Sequence, residues 1–385
     1  MNASKYLLVL NAGSSSLKFS LFSYQGRKIG ELVGSGMISH THNGCDFSYT
    51  FNQKEKKFHF SHAFSIKGAW KYLHDVLVKY NIVYVGFRVV HGGEELRQTA
   101  KIDADLLLKI AKYNNLAPLH NPPAIELIKL AKATWPRLKM AASFDTAWYK
   151  DLTPEIYLYA IPREYYSQHK IRKYGFHGLS HEQSVEYAAS KLKKPLNKLE
   201  VISCHLGSGN SLSWFARGQV KDTSMGFSPN EGLVMSTRSG DLPPDLVLFL
   251  AAELKIPLAK LKKILNEESG LLGLAGTSDL REILLANGYK VEGFRSSLKF
   301  SHMQKASARL ALQKYIGRIR HYLGAYAAQA EHLDAIVFTG MVGHHSPIIR
   351  KLVLQKLNLP RRCKILISPG DEDLNIANKT LKCLS

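Results

Sequence analysis

The stretch LLVLNAGSSSLKFSLF, residues 7–22, decides the fold. An apolar, β-prone run leads into NAGS at residues 11–14, and further serines open a second β-prone run. Glycine lets a backbone approach an oxyanion closely, and the turn presents N–H and hydroxyl donors to it. The stretch therefore predicts a β-hairpin whose turn binds phosphate.

A second stretch, VISCHLGSGNSLSWF at residues 201–215, repeats this pattern about half a chain later. There HLGS, residues 205–208, stands where NAGS stands in the first stretch. One such turn is a weak signal, but two indicate duplicated domains that hold one phosphoryl chain between them.

After the first turn, strict alternation places Ser16, Lys18 and Ser20 on one face of the strand. Lys18 therefore shares a face with the serines near the turn.

The composition is typical of a globular protein with substantial cores. The chain has 385 residues, of which 45% are hydrophobic and 22% charged, enough for two domains. No apolar run approaches the ~18 residues of a membrane span, and the run at residues 6–10 is too short for a signal-peptide core. The four cysteines are widely spaced without a C-x-x-C pair, which disfavours disulfides and zinc. We therefore expect a cytoplasmic protein without a membrane partner.

The formal net charge of +21 can indicate nucleic-acid binding. The basic residues are scattered, however, with short clusters at 54–57, 191–194 and 260–263 rather than one basic arm. No aromatic platform motif accompanies them. The favoured interpretation is solvated surface charge that also attracts anionic substrates, so no nucleic-acid partner is expected.

Strand-like and helical patterns alternate along the chain, which predicts the α/β class. The principal helical patterns cover residues 63–80, 180–192, 245–253 and 302–331, and the principal strand patterns cover 83–90, 140–144 and 334–338. The segment APLHNPP, residues 117–123, is expected to be a turn between two helices. A domain break is expected near residue 150.

Several polar residues stand where predicted strands end or where glycine-rich turns begin. Phosphoryl transfer needs positioned positive charge and a metal ion, so these residues are candidates for it. Arg88 ends a strand and Arg238 lies in the small-residue loop 235–241, so each can grip an anion with its guanidinium or pair with a carboxylate. Asp145 ends a buried strand, where it can act as a base, hold an arginine or cap the next helix.

Two further pairs leave alternatives open. His177 and His181 are four residues apart at a helix start, a spacing that can bind zinc, but no third ligand is evident. A donor to phosphoryl oxygens or a structural histidine is the favoured interpretation. Glu372 and Asp373 begin the last helix, where the helix dipole stabilises acidic residues, and the alternative is that they bind Mg²⁺.

Together these strings resemble the acetate kinase family, within the superfamily of sugar kinases, actin and heat-shock chaperones. The matching motifs run in family order over almost the whole chain: NAGSSSLKFSLF, RVVHGGE, LAPLHNPP, FDTA, YGFHGLSHE, CHLGSGNSLS, KDTSMGFSPNEGLVMSTRSGDLPP, ESGLLGL, TSDLR and DAIVFTGMVG. The resemblance implies an α/β fold of two duplicated actin-like (ribonuclease H-like) domains flanking a hinged nucleotide cleft. The domains would comprise residues 1–149, completed by the C-terminal helix 373–385, and residues 150–372.

The resemblance implies a phosphotransferase with a carboxyl group as acceptor. It would transfer the γ-phosphoryl group of ATP reversibly to acetate, giving acetyl phosphate and ADP, with Mg²⁺ or Mn²⁺ as cofactor, and it would be a homodimer. A propionate or butyrate kinase, or an acetate kinase that uses pyrophosphate or GTP, is the alternative within the class. The alternative from another class is a nucleotide-sensing or nucleic-acid-binding protein that has lost catalysis.

The resemblance also implies roles for individual residues. The catalytic residues would be Arg88, Asp145, His177 and Arg238. The acetate site would comprise Val90, Leu119, His120, Phe176 and Pro229. The nucleotide and its phosphates would contact Asn11, Ser14, Ser16, Lys18, His205, Gly207, Ser208, Gly209, Asp279, Leu280, Arg281, Gly340, Met341, Val342 and Gly343. The metal ion would be held by Asn11 and Glu372.

Departures from the family pattern concentrate on the nucleotide side. Ser208 stands where the family usually has Asn, Met341 where it has Gly, and His344-His345 where it has Glu-Asn. A methionine there adds bulk against a planar base, although its flexible side chain can also lie along a ring face. The sequence therefore predicts an ATP-using enzyme with weakened affinity for the nucleoside.

Overall fold

The computed structural model describes residues 4–26, 28–296 and 300–385. It divides into two compact units: the first comprises Met1–Lys150, His177–Leu179 and Asp371–Ser385, and the second comprises Asp151–Phe176 and Ser180–Gly370. Three residues from the middle of the chain, His177–Leu179, thus belong to the first unit. The domain limits expected from the sequence do not include this excursion.

The first unit is built on a mixed sheet and the second on a smaller one. The strands are β1 (Lys5–Ala12), β2 (Ser16–Gln25), β3 (Lys28–Thr41), β4 (Gly44–Phe51), β5 (Lys54–Phe60), β6 (Ile82–Val89), β7 (Ala100–Lys101), β8 (Lys139–Phe144), β9 (Glu200–Leu206), β10 (Asn210–Ala216), β11 (Gln219–Thr223), β12 (Ala335–Thr339) and β13 (Lys364–Ile367). Among the described residues, the first sheet has the strand order β5-β4-β3-β2-β1-β6-β8-β7, and the second has the order β11-β10-β9-β12-β13.

Most of the helices lie between these strands in the sequence, and the last one follows the final strand. They are α1 (Ile66–Leu77), α2 (Ala104–Ala111), α3 (Asn121–Thr134), α4 (Pro154–Tyr157), α5 (Glu164–His169), α6 (Gly178–Leu192), α7 (Pro244–Ala252), α8 (Leu258–Glu267), α9 (Gly270–Ala275), α10 (Leu280–Ala286), α11 (His302–Gln329), α12 (Gly340–His345), α13 (Pro347–Leu354) and α14 (Glu372–Leu384). In the described part of the chain, no helix combines the length and the apolar character needed to cross a membrane.

The two sheets share one five-strand topology. In the first, β1, β2 and β3 form an antiparallel meander, and β1 is followed by the parallel strands β6 and β8. In the second, β9, β10 and β11 form the same meander, and β9 is followed by the parallel strands β12 and β13. The duplication predicted from the two hairpins is therefore confirmed.

The helix predicted over residues 63–80 is three residues shorter at each end. It begins at Ile66 because the Ser65 side chain accepts a hydrogen bond from the Gly68 N–H, which satisfies one of the amides at the helix start. Its buried residues, which include Trp70 and Leu73, recur at the three-to-four-residue spacing of a helix that covers a core.

The expectation of a turn over residues 117–123 is wrong for its last three residues. Helix α3 begins at Asn121, so the two prolines stand in its first turn, where a missing N–H costs no hydrogen bond. The buried Asn121 side chain accepts from the His91 N–H at 3.1 Å and donates to the His91 carbonyl at 2.9 Å. Asn121 thereby ties the start of α3 to the segment that follows β6.

Candidate active site

Three mutually parallel strands of the first unit end at one edge of its sheet. The register of β1 and β6 places Asn11 beside Arg88, and that of β6 and β8 places Arg88 beside Ser143, two residues before Asp145. In open α/β sheets, ligands bind outside the carboxyl ends of the strands. This edge therefore brings together predicted site residues from three separated parts of the chain.

Two carboxylates hold Arg88 at this edge. Its Nε and Nη2 donate to Oδ1 and Oδ2 of Asp145 at 2.9 and 2.7 Å, and its Nε lies 2.8 Å from Oε1 of Glu372. The Asp145 side chain is only 1% exposed. Of the three roles considered for Asp145, the structure shows the one in which it holds an arginine. We call Arg88, Asp145 and Glu372 the Arg88 cluster.

The Arg88 cluster combines one cation with two acids. Burial alone would lower the pKa of Arg88, but the carboxylates of Asp145 and Glu372 raise it above its ordinary value, so the guanidinium stays charged. Burial raises the pKa of Glu372 from 4.5 to about 7, against the opposing effect of Arg88. The charge of the cluster therefore changes near neutral pH.

Asp145 also fixes the main chain at His177. The His177 N–H donates to Oδ2 of Asp145 at 3.3 Å, and His177 has a φ of +55° in the left-handed region. A Cβ on Gly178 would lie 2.0 Å from the Asp145 carbonyl oxygen, so only glycine fits after the histidine. The FHG motif is thus held against the residue that grips Arg88.

His181 has a structural role. Its Nδ1 and Nε2 lie 2.8 and 2.7 Å from the hydroxyl oxygens of Ser203 and Ser211, and it is fully buried. Burial also lowers its pKa well below the ordinary value, so the ring is neutral. Both ring nitrogens are hydrogen-bonded to serines, which favours the structural interpretation of His181 over a zinc pair with His177.

The first hairpin has the turn that the sequence predicts. The Gly13 N–H donates to the Ser16 carbonyl at 2.8 Å, while Ser14 and Lys18 are exposed. Lys18 opposes the rise in the pKa of Glu372, so its ammonium group lies within electrostatic reach of the Arg88 cluster. The turn therefore supplies exposed donors beside a cation.

The second hairpin is closed by a residue that the sequence search missed. The Gly207 N–H donates to the Gly209 carbonyl at 3.1 Å and to Oδ1 of Asn210 at 3.0 Å, and Asn210 Nδ2 donates to the Val234 carbonyl at 2.9 Å. Ser208 is exposed at the tip. The only sequence signal for Asn210 was a polar residue at the start of a β-prone run.

The start of α12 lies against the end of β9. Gly340 has a φ of +76°, and a Cβ there would lie 2.5 Å from the Leu206 carbonyl oxygen. Met341 follows and is 73% exposed, whereas Gly343 is buried and Val342 is half-buried. The predicted nucleotide residues of this segment are therefore placed beside the second hairpin, with the methionine on the surface.

His205, Asp279 and Arg281 all have contacts within the second unit. His205 Nδ1 lies 2.8 Å from the Ser180 hydroxyl oxygen. Asp279 caps α10 by accepting from the Arg281 N–H at 2.9 Å, and it pairs with the Arg281 guanidinium at 2.7 Å. Leu280 is buried in the core of this unit. The cap and the ion pair account for the aspartate and the arginine without a nucleotide, so their predicted role at the nucleoside stays a prediction.

Arg238 is held quite differently from Arg88. Its Nη1 donates to the Pro229 carbonyl at 3.2 Å, and no carboxylate in the described part of the chain pairs with it. Burial lowers the pKa of Arg238. A half-buried guanidinium without a carboxylate partner is a ready receptor for an anionic ligand.

The predicted acetate residues belong to both units. Val90, which is 8% exposed, follows β6, and the partly exposed Leu119 and His120 precede α3 in the first unit. Phe176, 1% exposed, and the partly exposed Pro229 lie in the second unit. Each unit therefore contains some of the predicted acetate residues, and their shared role stays a prediction.

Residues 6–361 match the sequence model of the acetokinase family. The chain belongs to this family. It is 37% identical to the acetate kinase of Thermoanaerobacterium thermosaccharolyticum, over 96% of this chain and 94% of that protein. The crystal structure of a propionate kinase from Francisella tularensis matches with a TM-score of 0.87 at 32% identity, over 98% and 99% of the two chains. That of Porphyromonas gingivalis acetate kinase matches with a TM-score of 0.84 at 29% identity, over 99% and 100%.

Membership of the acetokinase family makes the protein a phosphotransferase that acts on a carboxyl group. The alternative of a protein from another functional class therefore loses its support. The structural matches also confirm the two-domain α/β fold that the sequence motifs implied.

One supporting residue of this acetokinase site escaped the sequence search. Asn375, buried one turn after Glu372 on α14, donates from Nδ2 to the Leu179 carbonyl at 2.7 Å. It thereby links the helix that carries Glu372 to the segment His177–Leu179. A polar residue on the apolar face of a terminal helix was the only signal for it.

Proposed function

We propose that the protein is an acetate kinase, which transfers the γ-phosphoryl group of ATP reversibly to acetate with the help of Mg²⁺. The observation that carries the proposal is the pair of arginines: Arg88 is locked by buried Asp145, and the half-buried Arg238 has no carboxylate partner among the described residues. Cations held in this way suit a reaction between two anions. The relatives that carry the name acetate kinase support the substrate pair.

The reaction asks little covalent chemistry of the protein. The carboxylate of acetate is ionised at neutral pH, so its attack on phosphorus needs no strong general base. Arg238, Lys18 and His177 would stabilise charge on the transferring phosphoryl oxygens, and Arg88 would orient the attacking carboxylate. Asp145 then acts by holding Arg88 rather than by taking a proton.

The donors at the edge of the first sheet fit Mg²⁺. This ion usually takes one or two protein carboxylates, keeps several waters and shares the substrate phosphates. Glu372 supplies a carboxylate there and Asn11 an amide oxygen. The described residues contain no group of three or more acidic, histidine or cysteine side chains that could hold a metal. Bound Mg²⁺ would neutralise charge on the phosphate chain.

The test is a donor and acceptor screen in which acyl phosphate is trapped as the hydroxamate. ATP, GTP, ITP and pyrophosphate are each supplied with acetate, with and without Mg²⁺, and Arg238→Ala serves as the inactive control. Strong activity with pyrophosphate and none with ATP would contradict the proposal that ATP is the phosphoryl donor. A DNA and RNA gel shift at rising salt, run on the same preparation, tests the nucleic-acid alternative.

Propionate kinase is the second candidate, favoured by the match to the Francisella tularensis structure. The two candidates differ by one methylene, which a hydrophobic pocket distinguishes by only ~1–3 kcal/mol. Competition between acetate and propionate at equal concentration separates them, because it reports the ratio of the two kcat/KM values. A ratio that favours propionate would replace acetate in the proposal.

We also propose a homodimer, formed through α7. The sequence PDLVLFLAA has no buried residue: Leu248 is 63% and Phe249 49% exposed, and Leu258 at the start of α8 is 77% exposed. An exposed apolar patch of this kind marks an interface, and the family resemblance points to a second copy as its occupant. Leu248→Asp should give a monomer by light scattering, whereas Leu108→Asp, at an exposed leucine of α2, should not. A dimeric Leu248→Asp variant would contradict the assignment.

A further inference from the structure

A half-buried tyrosine–glutamate pair, Tyr159 and Glu231, lies at the start of the loop of residues 226–241, which carries Arg238. The Tyr159 hydroxyl donates to Oε2 of Glu231 at 2.5 Å. The Phe227 N–H lies 2.7 Å from the Tyr159 oxygen and 3.1 Å from Oε2 of Glu231, and donates to both. The three groups form a closed triangle of hydrogen bonds at the start of the loop.

Partial burial makes a charged glutamate at position 231 energetically unfavourable. Burial raises its pKa and that of Tyr159, while the hydrogen bond from Tyr159 opposes the rise at Glu231. A buried polar group is tolerated where its partners are satisfied, and such a network makes the local backbone rigid. No substrate role assigned above uses either residue.

The pair packs directly against the loop backbone. A Cβ on Gly226 would lie 2.1 Å from Oε2 of Glu231 and 2.2 Å from the Tyr159 oxygen. The Gly226 carbonyl in turn accepts from the N–H groups of Tyr174 at 2.9 Å and Gly175 at 3.3 Å. The pair therefore fixes the point where the loop meets the segment that leads to Phe176.

The Arg238 side chain is hydrogen-bonded to this same end of the loop. The Pro229 carbonyl, two residues before Glu231, is the acceptor for Arg238 Nη1 at 3.2 Å. Pro229 is also an expected wall of the acetate site. Displacement of residues 227–231 would therefore move an arginine and an apolar wall together.

We propose that Tyr159 and Glu231 are positioning residues that fix the orientation of the Arg238 side chain and the position of Pro229. The inference rests on the proposed function of the site. The pair acts through the loop and touches neither substrate. Because misplacement by about 1 Å of a group that orients the reaction costs on the order of 100-fold in rate, loss of the pair lowers kcat more than it changes KM for the nucleotide.

The experiment compares Tyr159→Phe, Glu231→Ala and Glu231→Gln with the parent, each also in the Arg238→Ala background. Tyr159→Phe and Glu231→Ala should lower kcat by roughly tenfold or more and leave KM for ATP within about twofold of the parent. Glu231→Gln should keep most of the activity, because its amide oxygen still accepts both hydrogen bonds. Tyr165→Phe, at an exposed tyrosine of α5, is the matched control and should behave like the parent.

The double variants separate positioning from general stability. If the pair acts through Arg238, Glu231→Ala should cost less than about twofold once Arg238 is alanine. Parent-like kcat in folded Tyr159→Phe and Glu231→Ala, or a full multiplicative loss in the Arg238→Ala background, overturns the inference. Thermal melting identifies any variant that fails to fold, and Tyr159→Phe, which removes one oxygen, is then decisive. A parent that forms no acyl phosphate refutes the proposed function and the inference with it, whereas unaffected variants of an active parent refute the inference alone.

Discussion

Replacement of Glu372 by glutamine removes a half-buried carboxylate from the Arg88 cluster while keeping the shape of the side chain. The pKa of this group is raised by burial from 4.5 to about 7. The folded protein therefore holds the proton more tightly than the unfolded chain does. A difference in proton affinity of this kind makes the free energy of unfolding depend on pH.

The sign and the size of the effect follow from those two values. Glu372 contributes stability that is fully present below about pH 4.5 and is lost as the pH rises through about 7. At ~1.4 kcal/mol per unit of pKa, the loss between about pH 5 and pH 8 is ~2.5 kcal/mol. In a domain of 150–250 residues this corresponds to roughly 5–10 °C in melting temperature. The glutamine side chain stays neutral at every pH, so the variant lacks this pH-dependent loss of stability.

Melting temperatures of the parent, Glu372→Gln and Glu126→Gln, measured in small steps over that pH range without divalent cations, test the prediction. Glu126 is exposed on α3, so its variant is the matched control. Relative to Glu372→Gln, the parent should lose stability as the pH rises, and Glu126→Gln should follow the parent. Parallel curves for the parent and Glu372→Gln would refute the raised pKa and the electrostatic description of the Arg88 cluster.

Three further predictions concern catalysis. Arg238→Ala should lower kcat by two orders of magnitude or more, on the scale of ~3 kcal/mol for a lost preorganised donor, and Arg238→Lys should not restore it because an ammonium lacks the guanidinium fork; near-normal turnover by folded Arg238→Ala would count against the role. Val90→Ala should improve propionate relative to acetate by up to ~1–3 kcal/mol, and an unchanged preference in competition would place Val90 elsewhere. Met341→Gly should lower KM for ATP several-fold and leave KM for acetate unchanged; an ATP dependence equal to that of the parent would exclude crowding by the exposed Met341 side chain.

Local sequence patterns were enough to predict most elements of the fold. The alternation in residues 16–21 and the apolar runs before each turn are properties of neighbouring residues, so both hairpins could be predicted from the sequence. The parallel strands β6 and β12 were visible for the same reason, since each is a short β-branched run that ends in glycine or in a polar residue. Strand order was beyond this reasoning, because pairing between distant strands leaves no local trace.

The contacts around the site could not be predicted from the sequence, because they depend on the pairing of distant strands, which no local pattern shows. Sequence reasoning placed Asp145 at the end of a strand but left three roles open, and the choice required the position of Arg88 in the adjacent strand. The inclusion of His177–Leu179 in the first unit depends on Gly178 fitting against the Asp145 carbonyl and on the hydrogen bond from Asn375. A glycine after a histidine is visible in the sequence, but the carbonyl that excludes any side chain is not.

The two arginines differ in what holds them, and this difference bears on how each would respond to mutation. Arg88 is fixed by a forked ion pair with a side chain that is 1% exposed, so its direction is set by charge. Arg238 has one backbone acceptor, the Pro229 carbonyl, and its half-buried charge lacks a carboxylate partner in the described residues. An anionic ligand would offset the energetic cost of this unpaired charge, which favours binding. The orientation of the Arg238 side chain, however, depends on the loop alone. The proposed catalytic contribution of Arg238 should therefore be more sensitive to distant changes than that of Arg88, and the residues that fix the loop are where that sensitivity should appear.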